Sequence, residues 1–391
     1  MLSANRPLLM LSLAAAIAFG CAAFNFLVDP YGAWGTGIVA PAFGKINDER
    51  LQIPYLLRTS EPETILVGNS RVAWGIPIEE GYRDGILNAG ILGATVPEAV
   101  RIIDVALAGK RLKRIVWFVD FLAFSDHYNK VDARFDARLS GNREAKIEET
   151  LFSLTALGDS FDTLKRALGG RALLRHTRTV SIPWPMDFIC SSLNTRASSD
   201  LSTVPDFVLA TQLTRNWYTD YRFSPALLKL FSATVQKARA QGVDVVLVMA
   251  PMSQYELEFL RQSGQWQKFQ DFKRMIAGNG PVWDFTGYNA IARTDRMFRD
   301  ATHMEPAVGQ MVLRIVLGKD SPPCNAATTA IESSGVFIQA GSLESALAEQ
   351  DQMRQAANDP ASRYSKMATR IRASIAAKNG LPPGQSNQSD D

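Results

Sequence analysis

An uncharged run near the start constrains this chain more than any other feature. From Pro7 to Val28 it reads PLLMLSLAAAIAFGCAAFNFLV, 22 residues with only Ser12 and Asn25 as polar interruptions. As a helix rising about 1.5 Å per residue it reaches roughly 30 Å, the thickness of bilayer hydrocarbon. Arg6 and the α-amine precede it, Asp29 follows it, and the next cation is Lys45. The positive side stays in the cytoplasm, so the remainder is exported. Three fates compete: a retained signal anchor, a cleaved signal peptide, and a lipoprotein signal ending at Cys21. Ala18-Phe19-Gly20-Cys21 puts a bulky Phe where lipidation boxes take small residues, and a cleavable apolar region is usually shorter, so the anchor is favoured. The expectation is a single-pass protein of the inner (cytoplasmic) membrane, with residues 1–6 inside, 7–28 spanning, and the rest periplasmic or otherwise extracytoplasmic.

Beyond the anchor the composition is that of a folded chain. Of 391 residues 46% are hydrophobic and 21% charged, too apolar for a disordered tail. Forty-two Lys and Arg against 39 Asp and Glu leave a formal charge of +3, which excludes the concentrated basic footprint of a nucleic-acid binder. Cys21, Cys190 and Cys324 form no CxxC pair and no metal-ligand spacing. A disulfide framework is not expected, and one Cys190 to Cys324 bridge is left open.

Short β-branched runs without polar alternation mark strands buried on both faces. They occur at Thr64–Val67, Gly85–Asn88, Arg114–Val119, Val243–Met249 and Pro281–Phe285. Helical periodicity fills the intervals at Pro97–Ala108, Pro225–Ala240, Gln254–Ile276 and Pro306–Leu317. Strand and helix in alternation predict an α/β fold, a three-layer α/β/α sandwich around a central parallel sheet. Between Ser125 and Arg222 the rhythm is lost, and a mostly helical insertion after the third strand is expected. The division is a linker over 29–61, the α/β domain over 62–320 with its insertion at about 125–222, and a polar, partly helical appendage over 321–391. Within the insertion, Thr163 to Met186 carries Lys165, Arg166, Arg171, Arg175 and Arg178 with no acidic residue. A solvated helix face is the plainer reading, and a surface for anionic headgroups or glycan the sharper one.

Three segments carry candidate chemistry. Gly68-Asn69-Ser70-Arg71 follows the first strand, so Ser70 projects from the carboxyl end of the sheet, where open α/β folds bind ligands. Turn and cap roles explain Asn and Ser there equally well. The nucleophile elbow of α/β-hydrolases does not fit, because Val72 stands where that motif needs Gly. Late in the chain, Asp300-Ala301-Thr302-His303 places a carboxylate three residues before one of only three histidines. Such a carboxylate can hold Nδ1–H and leave Nε2 to take a hydroxyl proton, although a capped helix start with a surface histidine has the same spacing. Asn88-Ala89-Gly90-Ile91-Leu92-Gly93-Ala94-Thr95 follows the second strand, and its glycines suit either a tight turn or an oxyanion site.

In this order the three blocks resemble the SGNH/GDSL hydrolase superfamily over roughly residues 62–317. The branch most similar is the membrane-anchored group that includes DltD-like and alginate O-acetylation (AlgX/AlgJ-like) proteins. The resemblance implies Ser70 as nucleophile, Asp300 and His303 as acid and base, and the Ser70 and Gly93 N–H groups as oxyanion donors. The third block departs: the family's Gly-x-Asn-Asp is replaced by Val119-Asp120-Phe121-Leu122, removing an amide donor. Asn69, Arg71 and the His127-Tyr128 pair are candidate replacements; Asn69, Arg71 and Asn88 join Gly93 as candidate oxyanion and substrate-binding residues, and Asp120 is read as a turn residue. No cofactor and no metal are implied. The expected activity is hydrolysis or transfer of an acyl group, acetyl by analogy, on a cell-envelope or secreted glycan. A membrane-bound O-acyltransferase is a candidate acyl-supplying partner. The competing expectation is a non-catalytic envelope scaffold or glycan-binding protein of the same fold.

Overall fold

The computed structural model describes residues 6–39, 49–76, 82–83, 85–128, 131–168, 183–195, 218, 220–356 and a few positions between 366 and 377. One seven-stranded sheet organises the molecule, in the order β2-β3-β1-β4-β5-β6-β7. Its centre is parallel: β1 (Thr64–Gly68), β3 (Ile86–Gly90), β4 (Arg114–Phe118), β5 (Asp244–Met249) and β6 (Val282–Asp284) are the five expected strands within two residues. Both edges differ from the all-parallel expectation. β2 (Tyr82–Arg83) pairs antiparallel with β3, and β7 (Val336–Ile338) pairs antiparallel with β6. β2 is Tyr-Arg and has no apolar run, and β7, though apolar as Val-Phe-Ile, is three residues long and set in a polar stretch, too short to stand out as the central strands do.

The parallel register brings the carboxyl ends of the central strands to one rim. Gly68 lies opposite Gly90, Val67 opposite Trp117, Phe118 opposite Val248, and Met249 opposite Asp284. After β1 the chain moves to β3 on one side, and after β3 it crosses back to β4 on the other. That reversal opens a crevice outside the ends of β1 and β4. The helix Ser70–Gly75 after β1 packs against Pro306–Val316, whereas Val96–Ala108 after β3 packs against Pro225–Ala240. The expected continuous helix from Gln254 is two, Gln254–Gln262 and Trp266–Ala277. The break falls at Gly264, whose φ of +69° is left-handed, a conformation that ends helices and is open to glycine.

Segments read as peripheral take part in the core. Helix Glu49–Thr59, inside the expected linker, buries Ile53, Leu56 and Leu57 in the main apolar cluster. The expected appendage supplies β7 and helix Leu343–Ala356, whose buried Gln350 donates to Asp284 Oδ2 at 2.9 Å. Asp284 also faces Lys273 Nζ at 3.0 Å, both side chains being sealed from solvent. The stretch expected as an insertion contains, among its described residues, helices Ala133–Leu139, Arg143–Leu151, Leu154–Leu168 and Met186–Thr195. Arg171, Arg175 and Arg178 of the basic stretch lie outside the described residues, as does the polar end of the chain from Gly384. A Cys190–Cys324 disulfide, with Cα atoms 6.2 Å apart, joins the last of these helices to the segment after Pro306–Val316.

Arg6–Val28 is one helix, and among the described residues it alone is long and apolar enough to cross a membrane. Its last turns dock on helices Arg143–Leu151 and Leu154–Leu168. Asn25 is fully buried, donating to the Leu151 carbonyl at 2.9 Å and accepting from Ser160 Oγ at 2.8 Å. Just beyond, Tyr31 donates to Asp159 at 2.6 Å and Trp34 Nε1 to Thr150 Oγ1 at 3.0 Å.

Close packing of Pro306–Val316 on Ser70–Gly75 depends on Gly309, where a methyl group would strike the Gly75 carbonyl. Gly309→Ala is expected to cost about 1–3 kcal/mol through overpacking, read as a lowered thermal midpoint. Gly158→Ala, where nothing lies within 4 Å, is expected to leave the midpoint unchanged or raise it.

Candidate active site

The register determines what can meet at the rim. Ser70 stands two residues beyond the end of β1, Asp120 two beyond β4, and Gly93 three beyond β3. Asn69 caps the helix that carries Ser70, its side chain accepting from Arg71 N at 3.0 Å. The Ser70 hydroxyl therefore sits on a first helical turn pinned to the strand end.

His303 arrives from the loop after β6. Backbone hydrogen bonds from Arg299 N to His303 O at 2.8 Å and from Glu305 N to Met297 O at 2.8 Å fold that loop into a tight excursion before Pro306. Within it, the Asp300 carboxylate accepts from Thr302 N at 2.8 Å, Thr302 Oγ1 at 3.0 Å and His303 N at 2.9 Å. His303 Nδ1 lies 2.8 Å from Asp300 Oδ2. Its other nitrogen, Nε2, lies 2.8 Å from Ser70 Oγ across 233 residues of sequence. Trp74, one helical turn after Ser70, packs its ring 4.6 Å from the imidazole and backs it from the side.

Burial alone would raise the Asp300 carboxyl, but the hydrogen bond and charge of His303, with the two backbone N–H groups, outweigh it and hold it well below the usual carboxylate range. Asp300 is thus an anion throughout the neutral range, able to hold His303 Nδ1–H and support an imidazolium as it forms.

These groups border an open cleft of about 340 Å³ lined by Asn69, Ser70, Arg71, Trp74, Gly93, Asp120, Leu122 and His303 among others. The candidate residues divide here into those that face the cleft and those that support it. Ser70, His303 and Gly93 face it, with Asp300 behind the histidine. Arg71 borders the cleft, but its guanidinium is turned to other partners. Nε reaches Asp120 Oδ2 at 3.1 Å, Nη2 reaches Glu256 Oε1 at 2.5 Å, and Nη1 donates to the Pro251 and Thr302 carbonyls at 3.2 and 3.0 Å. With those donors engaged, Arg71 is a positioning residue and not a replacement oxyanion donor. Asn88 is also structural: it donates to the Val72 and Ile76 carbonyls at 3.0 and 2.8 Å, closing the end of the Ser70 helix. His127 is exposed, bonded to the Asp220 carbonyl at 2.8 Å, and is not among the residues lining the cleft. Asp120 is the turn residue expected, capping Leu122 N at 2.9 Å, and is in addition a partner of Arg71.

Sequence reading missed Trp74, Glu256 and Tyr218. The i, i+4 spacing from Ser70 could have located Trp74. Glu256 lies 185 residues from Arg71, and Tyr218, which donates to Glu256 at 2.7 Å, lies in the insertion; no local pattern marks either. Burial raises Glu256 despite the opposing pull of Arg71, while Glu256 and Asp120 more than offset the burial that would lower Arg71. The chain matches no protein-family model and no curated protein in sequence.

Arg71→Ala leaves Glu256, buried, and Asp120, largely so, without their shared cation and is expected to cost about 3–5 kcal/mol in denaturant unfolding. Asp300 gives a pH signature. Its folded-state value is depressed, so its contribution is complete above the unfolded value of about 3.9 and is lost as pH falls below that. The stability difference between wild type and Asp300→Asn should therefore be constant at neutral pH and shrink on acidification below about 4.

Proposed function

We propose that the chain is a membrane-anchored, extracytoplasmic, serine-dependent acyl-ester hydrolase or O-acyltransferase on a three-layer, SGNH-like α/β/α scaffold. A single observation carries the reading: Ser70 Oγ, His303 and Asp300 stand in one hydrogen-bonded row, at 2.8 Å on each side of the imidazole, bordering an open cleft. A hydroxyl, a base and an orienting carboxylate in this order are the parts nucleophilic acyl transfer needs.

His303 Nε2 removes the Ser70 proton as Oγ attacks the ester carbonyl, and the Ser70 and Gly93 N–H groups receive the oxyanion. The imidazolium returns the proton to the departing alcohol, leaving acyl-Ser70. Water or a sugar hydroxyl, deprotonated by the same imidazole, then attacks the acyl carbon and regenerates the serine. An anchored site beyond the cytoplasmic membrane favours a short acyl ester, acetyl by analogy, on a cell-envelope or secreted glycan, and a membrane-bound O-acyltransferase as the partner that delivers acyl groups across the bilayer. The chemistry of the row supports the reaction class; substrate and partner rest on location and resemblance.

Asp120 is the observation that favours the alternative, a non-catalytic envelope scaffold or glycan-binding protein. It puts a carboxylate where the resembled family has an amide donor, and losing one such donor can cost about 100- to 1000-fold. Its partnership with Arg71 counts against that reading, because the guanidinium, shared with Glu256, offsets part of the negative charge. Labelling with a fluorophosphonate separates the two. The wild type is expected to label at Ser70, Ser70→Ala not at all, and His303→Ala at least about 100-fold more slowly. A wild type that stays unlabelled at every pH near neutral would leave the scaffold.

A further inference from the structure

The apolar helix is too short to cross a bilayer if the folded domain stays clear of the lipid. Its turns are exposed all round from Pro7 only as far as Gly20, roughly 21 Å of helix against about 30 Å of hydrocarbon. The missing length, about 9 Å, has to come from Cys21–Val28, where Ala22, Asn25 and Val28 are buried against the domain. Helix Leu154–Leu168 covers one side of that stretch: the Phe161 ring lies 4.9 Å from that of Phe24, and Ser160 bonds Asn25 at 2.8 Å. Whatever depth Cys21–Val28 reaches, this neighbouring helix reaches in part as well.

Its surface is divided in three. Ala156, Ser160 and Thr163 are buried. Leu154, Phe161 and Leu168, seven residues apart and so on one face, are 85%, 58% and 77% exposed. Phe152, just before the helix, is 49% exposed. Asp162, Lys165 and Arg166 occupy the remaining sector and are exposed too. Three apolar side chains of this size in one exposed line are costly in water, whereas an apolar stripe beside a polar sector containing cations is the pattern of a helix lying in a membrane interface.

We propose that helix Leu154–Leu168 is embedded at the acyl–headgroup boundary of the leaflet from which the domain emerges, with its Leu154, Phe161 and Leu168 line against acyl chains and Lys165 and Arg166 at the lipid phosphates. The helix then fixes the height and tilt of the domain on the bilayer. The proposal rests on the apolar helix crossing the membrane and is independent of the chemistry at Ser70.

The test uses the full chain in vesicles of phosphatidylcholine and phosphatidylglycerol. In a Cys21→Ser background, single cysteines carrying an environment-sensitive nitrobenzoxadiazole label replace Phe161, Leu13 in the anchor, or exposed Thr329 as a water-facing control. Doxyl-labelled lipid should lower emission about twofold or more at positions 161 and 13 and leave 329 unchanged, whereas aqueous iodide should quench 329 alone. Quenching of 161 by iodide, with 13 quenched by lipid, would overturn the interfacial helix and leave the anchor standing. Shielding of 161 from both quenchers would also overturn it, assigning the stripe to a protein contact. If 13 is not quenched by lipid, the anchor fails and the proposal with it.

Discussion

Arg71 is the fastener on which the site depends. Its guanidinium is bonded to Asp120 beyond β4, to Glu256 and the Pro251 carbonyl beyond β5, and to the Thr302 carbonyl in the loop beyond β6, while its own backbone follows β1. One cation thus joins four neighbouring strand ends. A buried guanidinium is tolerable only with all its partners in place, so a packing that displaced the Thr302 loop would leave it short of an acceptor. Arg71 is the chain neighbour of Ser70, and Thr302 that of His303. The link between Arg71 Nη1 and Thr302 O, 3.0 Å long across 231 residues, therefore constrains the positions of Ser70 and His303 without touching either side chain.

The same clamp explains how the site accommodates an acidic residue at the third strand end. A free carboxylate beside a developing oxyanion would oppose it. Asp120 instead directs one oxygen to Leu122 N and the other to Arg71 Nε, and the cation lies between it and Glu256. Tyr218 and Arg71 share Glu256 Oε1, at 2.7 and 2.5 Å. Beneath the cleft one guanidinium serves two carboxylates, and burial raises the Glu256 carboxyl against the pull of that cation.

What could be read from sequence follows from which interactions are local. The central strands were legible because burial on both faces demands uninterrupted apolar runs, and Ser70 was legible because its segment directly follows the first of them. Asp300 and His303 are three residues apart, so a loop alone can make their bond. Arg71 to Glu256 and Lys273 to Asp284 were not legible: the first joins segments 185 residues apart and the second a helix to the strand that follows it, and a charged residue in a sequence is by default a surface residue. β7 and Gln350 were missed for a related reason. Their segment is polar by composition, and the apolar side chains that seat it, Ile331, Ile338 and Ala346 in the main cluster, are dispersed among polar ones; it completes the edge at β6 and adds the hydrogen bond to Asp284. Asn25 looked like a flaw in an apolar run and is instead where that run attaches to the domain.

That attachment continues toward the cleft through a chain of ionic contacts. Helix Arg143–Leu151, on which Asn25 docks, carries Glu149, which pairs with Arg138 at 2.7 Å. Arg138 also donates to the Arg50 carbonyl at 3.0 Å. Arg50 in turn grips Glu98 at 2.8 Å and the Leu92 carbonyl at 3.0 Å, and Leu92 directly precedes Gly93. Glu98 completes a capping box with Thr95 at the start of the helix after the glycine turn, so Arg50 secures that turn from outside while the sheet secures it from within. Such a series is a frame more than a signal path: its contacts are 2.7–3.0 Å long, and Asn25 and Glu98 are buried. Its consequence is geometric. The proposed oxyanion site, made of backbone N–H groups, would need a turn that does not drift, and that turn is connected through Arg50, Arg138 and Glu149 to the helix on which the base of the apolar helix docks.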